Sequence, residues 1–364
     1  MQTLKLNSSS HSVIVLQTLL KNTGKTIAID GDFGPKTFAQ VKLFQSEHQL
    51  RADGIVGPKT WATLFQHGYT FSTNIIDWLA PSGKAFLPSE EYLQEIHPKQ
   101  SIFLHHTAGF YHPEGVINWW SDDDKKNKKG EIRPYRVGTA FVIGGKKLDG
   151  VAALDGKVYR AFMEYHWAHH LGMDVANSGK ALSKLNAKVS GSSIGIEICA
   201  LGPVQKAADG SFFARFATKA APGFKDYPVP ADQVCTLEKP FRNALHYHRY
   251  SPAQIEACRK LILSMAWFFN IPIPERTYDE QWFEFNSKAA YEPGLWTHTN
   301  VRRDKSDCFP QPEFIAMLNR LHEDFKTFDP HKLRIERGGE AIEFDGATIT
   351  NYATDMNDFD DMIK

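Results

Sequence analysis

The chain has 364 residues, of which 42% are hydrophobic and 23% charged, and this length and composition predict a folded protein of two or three domains. Lysine plus arginine and aspartate plus glutamate both number 42, so the formal net charge is zero and nucleic-acid binding through a basic surface is not expected. No apolar run approaches the roughly 20 residues that span a bilayer, so membrane insertion is not expected either.

An internal repeat dominates the first 66 residues: DGDFGPKT at residues 30–37 recurs as DGIVGPKT at residues 53–60. Each copy predicts an Asp-Gly turn followed by a proline at a helix start, where its missing N–H costs little. Apolar residues at helical spacing, such as Val13, Leu16 and Leu20, surround both copies. The pattern therefore predicts a compact three-helix module over residues 1–66.

This segment resembles the peptidoglycan-binding domain found at the ends of many cell-wall hydrolases. The resemblance covers about residues 8–66 and rests on both copies of the motif together with Gln17 and Gln45. It implies peptidoglycan as a partner, although the turns could instead only stabilise a small helical bundle. The residues that we predict to characterise the binding module are Asp30, Gly31, Phe33, Gly34, Asp53, Gly54, Gly57 and Trp61.

Residues 67–95 are predicted to form a linker, with a short helix near residues 75–79, and residues 96–328 a second domain. Strands and helices alternate in this domain, which predicts an α/β fold with a mixed sheet. Residues 203–290 are less regular, and residues 329–364 are interpreted as a solvated, acidic C-terminal tail. The predicted strands cover residues 101–104, 138–143, 157–162 and 193–200, and the predicted helices residues 115–121, 252–269 and 313–327.

Two adjacent histidines, His105 and His106, end the first of these strands. Because successive side chains of a strand point to opposite faces, one histidine can face a metal while the other faces away. His298 and Asp307 are nine residues apart, a separation that suits a loop folding both onto one ion. Two imidazoles and a carboxylate form a ligand set suited to Zn²⁺, with one position left open for water.

Glu197 lies in an apolar strand and is a candidate to accept a proton from that water, while Lys305 could stabilise an oxyanion. Other histidines compete for the role of metal ligand. They form two clusters, one at residues 166–170 and one at residues 246–248. From the residues alone, these clusters are more consistent with packing or with the lining of a substrate groove.

The second domain resembles the zinc amidases of the N-acetylmuramoyl-L-alanine amidase type 2 family, which includes phage amidases, cell-wall recycling amidases and peptidoglycan recognition proteins. The resemblance rests on five short stretches of this sequence. They are IFLHHTAG at residues 102–109, DGKVY at residues 155–159, AHHLG at residues 168–172, SIGIE at residues 193–197 and HTNVRRDKSD at residues 298–307.

The resemblance implies that His105, His298 and Asp307 bind zinc and that Glu197 and Lys305 are catalytic. It also implies substrate-binding residues: His170 matches a histidine of the substrate groove, and Thr139 stands near the position of a tyrosine used by some members. We add His106 to the predicted substrate contacts. The segment between Glu197 and His298 is longer than family members need, so the resemblance also implies that residues 203–290 are an insertion.

The resulting hypothesis is a bacteriolytic cell-wall hydrolase that cleaves the amide between N-acetylmuramic acid and L-alanine, with a zinc-activated water as nucleophile. The alternatives are a peptidoglycan sensor that binds without cutting, a zinc peptidase acting within the stem peptide, and a secreted antibacterial toxin. The N-terminus lacks the pattern of a signal peptide, so we expect cytoplasmic synthesis followed by release or delivery to the wall, as for a phage endolysin. We expect a monomer.

Overall fold

The computed structural model describes residues 2–68, 75–76, 87–95, 97–109, 111–121, 125–126, 132–133, 136–173, 180–216, 224–276 and 279–328, so the predicted tail at 329–364 lies outside the described residues. In the part of the chain that the structure describes, no helix has both the length and the apolar character needed to cross a bilayer.

The helices are α1 (His11–Asn22), α2 (Pro35–Glu47), α3 (Pro58–Gly68), α4 (Pro113–Ser121), α5 (Lys180–Gly191), α6 (Pro252–Phe269) and α7 (Pro312–Lys326). The strands are β1 (Ile75–Ile76), β2 (Ser101–His106), β3 (Lys125–Lys126), β4 (Ile132–Arg133), β5 (Phe141–Ile143), β6 (Val158–Arg160), β7 (Ser193–Ile198), β8 (Pro203–Lys206), β9 (Phe212–Phe216), β10 (Lys225–Val229), β11 (Val234–Phe241), β12 (Ala244–His248) and β13 (Gly294–Thr297).

The predicted three-helix module is confirmed as α1, α2 and α3, and a buried glutamine organises each copy of its repeat. In the first copy, the Oε1 atom of Gln17 accepts hydrogen bonds from the backbone N–H groups of Asp30 at 3.0 Å and Gly31 at 2.9 Å. In the second copy, the Oε1 atom of Gln45 accepts from the N–H of Gly54 at 2.9 Å. Gly31 and Gly54 have φ angles of +80° and +74°, a left-handed conformation that favours glycine in both turns.

Aromatic side chains join this module to the larger domain. The ring of Phe65 on α3 stacks on that of Phe269 on α6, with centroids 5.4 Å apart and planes 1° from parallel. The ring of Tyr165 lies 5.6 Å from Phe65 on another side, and the imidazole of His11 packs edge-on against Trp267. The module and the larger domain therefore share one continuous apolar core.

The predicted mixed sheet is present as six strands in the order β1-β6-β5-β7-β2-β13, parallel except for the antiparallel pair β5 and β6. The prediction of a short helix near residues 75–79 is wrong at residues 75–76, which are the part of this range that the structure describes. Ile75 and Ile76 form strand β1, which pairs with β6 at the sheet edge. Two β-branched residues suit an open sheet edge better than an isolated helical turn.

The two faces of the central strands are covered differently. Ile102 and Leu104 of β2 belong to the core that includes α6, which packs against β2, β5 and β7. Phe103 of the same strand belongs to a second cluster with Leu171 and Trp296. The strict alternation along β2 thus gives each face of the sheet its own apolar layer.

The predicted insertion at residues 203–290 contains a second sheet and a long helix. Its regular part is a five-stranded antiparallel sheet in the order β10-β9-β8-β12-β11, which ends at His248. Helix α6 follows it and packs on the central sheet, so α6 belongs to the main domain. Trp282 and Phe283 are buried in the main apolar core, so they do not form an exposed sugar-stacking surface.

Candidate metal centre

Three neighbouring strands bring the predicted site residues into one row. Strands β2 and β7 are parallel and in register, with His105 directly opposite Glu197. On the other side of β2, Leu104 pairs with Thr297, the last residue of β13, so His298 follows at the level of His105. Because partners in register point to the same face, both histidines and the glutamate meet at the carboxyl ends of these strands.

A loop returns Asp307 to this row and completes a triangle of ligand atoms. The Nδ1 atoms of His105 and His298 are 3.1 Å apart. The Oδ2 atom of Asp307 lies 2.8 Å from Nδ1 of His298 and 3.4 Å from Nδ1 of His105, and all three residues are buried. Zinc bonds of about 2.0–2.1 Å in a tetrahedron give ligand–ligand edges of about 3.3 Å, so these spacings fit one such ion.

The outer ring nitrogens indicate which atoms are available to a metal. The Nε2 atom of His298 lies 2.6 Å from the carbonyl oxygen of Leu171, which can only accept, so Nε2 carries a proton and Nδ1 is the nitrogen that a neutral ring offers to a metal. Burial lowers the pKa of His105 to about 4, which keeps this imidazole neutral. Unprotonated nitrogens next to a carboxylate oxygen are a donor set that a cation satisfies, so the residues present fit zinc.

The pKa values of the two carboxyl groups in the site are shifted in opposite directions. Burial alone would raise the pKa of Asp307, but His298 and His105 outweigh it and hold that pKa well below its usual range. Burial raises the pKa of Glu197 well above its ordinary value, and the negative charge of Asp307 raises it further, while Lys305 lowers it. One carboxyl group is thus kept as an anionic ligand, whereas the environment of the other favours its protonated form.

The three predicted substrate contacts lie in different environments. His170 is partly exposed, with its Nδ1 atom 3.0 Å from Nε2 of His105. Thr139 is buried and donates its hydroxyl proton to the carbonyl of Phe141 at 2.9 Å. His106 does not reach this face of the sheet, because strand alternation turns it to the opposite side, where its Nδ1 atom lies 2.8 Å from the hydroxyl of Tyr250.

Sequence reasoning missed the groups that support the ligands. The carbonyl of Leu171 is a backbone atom and has no sequence signature. Arg302 forms a bidentate ion pair with Asp304, at 2.7 and 2.5 Å, inside the loop that joins two ligands, and it also donates to the carbonyl of Gly172 at 2.7 Å. An arginine two residues before an aspartate in a ligand loop was the only available signal.

The residues predicted to characterise the N-terminal module mostly build it. Phe33 and Trp61 are each only 1% exposed. The Oδ1 atom of Asp30 accepts from the N–H of residue 32 at 3.0 Å, and that of Asp53 from the N–H of Ile55 at 2.9 Å, so both carboxylates cap their own turns. These motif residues specify the shape of the module, whereas its exposed positions remain free to contact a ligand.

Comparison with known proteins identifies this module. Residues 9–64 match the model of the peptidoglycan binding domain family. The zinc D-Ala-D-Ala carboxypeptidase of Streptomyces albus G is 46% identical over 67 residues, which are 18% of this chain and 26% of that protein. An uncharacterized protein in the bpoA1 3′ region of Kitasatospora aureofaciens is 46% identical over 63 residues, 17% of this chain and 53% of that protein.

Two solved structures are also similar over a short stretch. The match to a peptidoglycan-binding protein from Clostridioides difficile has 38% sequence identity and a TM-score of 0.17. It covers 17% of this chain and 40% of that protein's chain. The match to the Burkholderia AP3 phage endolysin has 44% sequence identity and also a TM-score of 0.17. It covers 17% of this chain and 24% of the endolysin chain. The chain spans about a quarter and about half of the lengths of the two curated relatives. These matches are confined to a small part of the chain, and within it residues 9–64 form a peptidoglycan-binding domain.

Proposed function

We propose that this chain is a zinc-dependent N-acetylmuramoyl-L-alanine amidase that cleaves the amide between N-acetylmuramic acid and L-alanine of peptidoglycan. The observation that carries the proposal is the convergence of His105, His298 and Asp307, with Glu197 on the neighbouring strand. Two imidazoles and one carboxylate leave the fourth position of a tetrahedral ion open, as hydrolytic sites require. The N-terminal peptidoglycan-binding domain indicates the polymer on which the site acts.

The protein residues have separate tasks in this proposal. His105, His298 and Asp307 hold the ion, and zinc, when bound, polarises a carbonyl and makes water a nucleophile near neutral pH. Glu197 removes a proton from the attacking water and returns it to the leaving amine, a task that its raised pKa favours. Lys305 is near enough to Glu197 to lower that pKa, and its ammonium group balances negative charge on the carbonyl oxygen.

Each alternative function that the sequence leaves open predicts different properties of the site or of the reaction. A sensor that binds without cutting needs no complete ligand set, whereas all three ligands and both catalytic candidates occur in this chain. A zinc peptidase would use the same site on a bond within the stem peptide. Delivery to the wall as a phage endolysin or as a secreted toxin is compatible with either chemistry.

The decisive experiment is a digest of purified peptidoglycan by the full chain, by the same protein treated with a chelator, and after zinc is added back. Glu197→Gln serves as the matched variant, because it keeps the size of the side chain but removes the base. New amino termini are assigned by mass spectrometry, and reducing sugar ends are counted in parallel.

The expected result is new L-alanine termini that disappear on chelation, return with zinc and are nearly absent for Glu197→Gln. New termini elsewhere in the stem would replace the amidase with a peptidase. Binding to the sacculus with no cleavage product under any of these conditions would overturn the enzyme proposal in favour of a sensor.

A further inference from the structure

Three consecutive residues, His170, Leu171 and Gly172, contact the candidate metal centre from outside the sheet. They follow a short bridge between Val137 and His169 and belong to no helix or strand. Their contacts reach both histidine ligands and the loop that carries the carboxylate ligand.

The first contact fixes His105, and its direction follows from a chain of hydrogen bonds. Ser193 donates its single hydroxyl proton to the carbonyl of Val189 at 2.7 Å, so its oxygen accepts from Nε2–H of His170 at 2.9 Å. Nδ1 of His170 then has a lone pair and accepts from Nε2–H of His105 at 3.0 Å. His105 is left with an unprotonated Nδ1, the atom that faces His298 and Asp307.

Close approach of this chain of bonds depends on a glycine. A Cβ atom on Gly195, in strand β7, would lie 3.1 Å from Nδ1 of His170 and 2.7 Å from the Cγ2 atom of Thr139. Both distances are tighter than ordinary carbon contacts. Gly195 therefore leaves room for the imidazole of His170 above the sheet, next to His105.

The next two residues fix the other ligands. The carbonyl of Leu171 accepts from Nε2–H of His298 at 2.6 Å, so in the neutral ring Nδ1 of His298 is the unprotonated nitrogen. The carbonyl of Gly172 accepts from Arg302 at 2.7 Å, and Arg302 holds Asp304 in the loop between His298 and Asp307. Gly172 has a φ of +51°, and a Cβ there would lie 2.7 Å from the guanidinium group of Arg302.

We propose that residues 170–172 form a brace that presets the zinc ligands, with His170 and Arg302 as positioning residues. The inference rests on the proposed zinc site and concerns how its ligands are held, whatever bond is cut. It gives His170 a different role from the substrate contact that the sequence predicts. Outer contacts of this kind fix the ring tautomer and raise metal affinity.

The test measures zinc affinity by competition with a chromogenic chelator, using the full chain and zinc alone. His170→Ala removes the acceptor for His105, whereas His170→Asn keeps an oxygen acceptor close to the position of Nδ1. Arg302→Ala and Arg302→Lys make the corresponding pair for the loop. His169→Ala is the control, because this neighbouring ring packs against Trp167, with centroids 5.2 Å apart, rather than against a ligand.

We expect His170→Ala and Arg302→Ala to weaken zinc binding on the order of 10- to 100-fold. His170→Asn should recover most of the loss, and His169→Ala should stay within about twofold of the parent. Nitrogen-15 spectra of the zinc-loaded parent should show both ligand imidazoles protonated at Nε2. Thermal unfolding of each metal-free variant, compared with the metal-free parent, separates a general loss of folding from loss of the brace.

Parent-like zinc affinity in His170→Ala, combined with a higher KM for peptidoglycan and unchanged kcat, would overturn the brace and make His170 a substrate contact. A parent that binds zinc but cuts no amide would overturn the proposed function while the variant series still tests the brace. A parent that binds no zinc would overturn both.

Discussion

In the N-terminal module, the polar side chains of the repeated motif form hydrogen bonds with their own turns and with a buried glutamine. In the larger domain, the imidazole nitrogens and carboxylate oxygen of the site residues instead face one another. Asp30 caps its own turn, and Gln17 satisfies the backbone beside it. His105 and Asp307 come from distant parts of the chain, and their facing nitrogen and oxygen atoms are 3.4 Å apart. A local motif whose polar atoms are hydrogen-bonded within the motif specifies a fold. A cluster of buried imidazole nitrogens and carboxylate oxygens from distant parts of the chain instead indicates a metal site.

Removing one of the three converging ligands should have the largest effect on the site. Asp307→Asn replaces the anionic ligand by a neutral amide, so we expect zinc affinity to fall by more than the roughly 100-fold upper range for outer contacts, and hydrolysis to be lost. Chelator competition and metal analysis of the purified protein measure the effect. Asp226→Asn, at an exposed ion pair on the inserted sheet, is the control and should keep its zinc. Equal zinc content in both variants would remove Asp307 from the ligand set.

The second prediction separates chemistry from metal binding within the same row of residues. Glu197→Gln should lower the rate of hydrolysis on the order of 10²- to 10⁴-fold, because the general base is lost. Zinc affinity should remain close to that of the parent, since Glu197 is not among the three converging ligands. The exposed Glu238 on β11 provides the control, as Glu238→Gln should change neither quantity. A zinc-loaded Glu197→Gln enzyme with parental activity would exclude this role.

Local geometry explains which parts of the structure could be predicted. Alternation along one strand was enough to separate His105 from His106, and the structure confirms the separation. Helix α6 was predicted with its observed bounds, and in the structure Ser251 and Gln254 form a capping box at its start. Both results depend on residues that are close together in sequence.

Other parts depend on tertiary contacts that no local pattern encodes. The strand at Ile75 requires an open sheet edge on β6, so two residues alone could not reveal it. The inserted sheet consists of short strands whose pairing depends on one another, and its sequence looked irregular for that reason. The carbonyl of Leu171 supports a ligand through a backbone atom that every residue type possesses.

The third prediction tests whether the module's motif is a scaffold. Gln17→Leu leaves the buried N–H groups of Asp30 and Gly31 without their acceptor, so we expect a loss in the free energy of unfolding of about 1–3 kcal/mol. Gln45→Leu should cost less, because only the N–H of Gly54 loses an acceptor bond to Oε1 in that copy.

Chemical denaturation monitored by tryptophan fluorescence compares these two variants with Leu43→Ala. Leu43 is 47% exposed on α2, so this substitution should change stability by no more than about 0.5 kcal/mol. If Gln17→Leu lost affinity for the sacculus at full stability, the motif would act in ligand binding rather than as a scaffold.

The smallest expected effect is a shift in pH dependence that contrasts a lysine of the site with a lysine of the module. Burial and the charge of Asp307 raise the pKa of Glu197, whereas Lys305 lowers it. A general base acts only when deprotonated, so activity falls as the pH decreases through this pKa. Lys305→Gln removes the lowering influence, and the acid limb of the remaining activity should therefore move to higher pH.

The matched control for this shift is Lys59→Gln in the second copy of the module's repeat, where the lysine is exposed on α3. Its acid limb should coincide with that of the parent, because Lys59 is not among the charges that set the pKa of Glu197. An acid limb for Lys305→Gln that stays in place or moves to lower pH would mean that Lys305 does not face the base. The same basic residue type thus has an electrostatic effect on chemistry only where the fold places it beside the buried carboxylate.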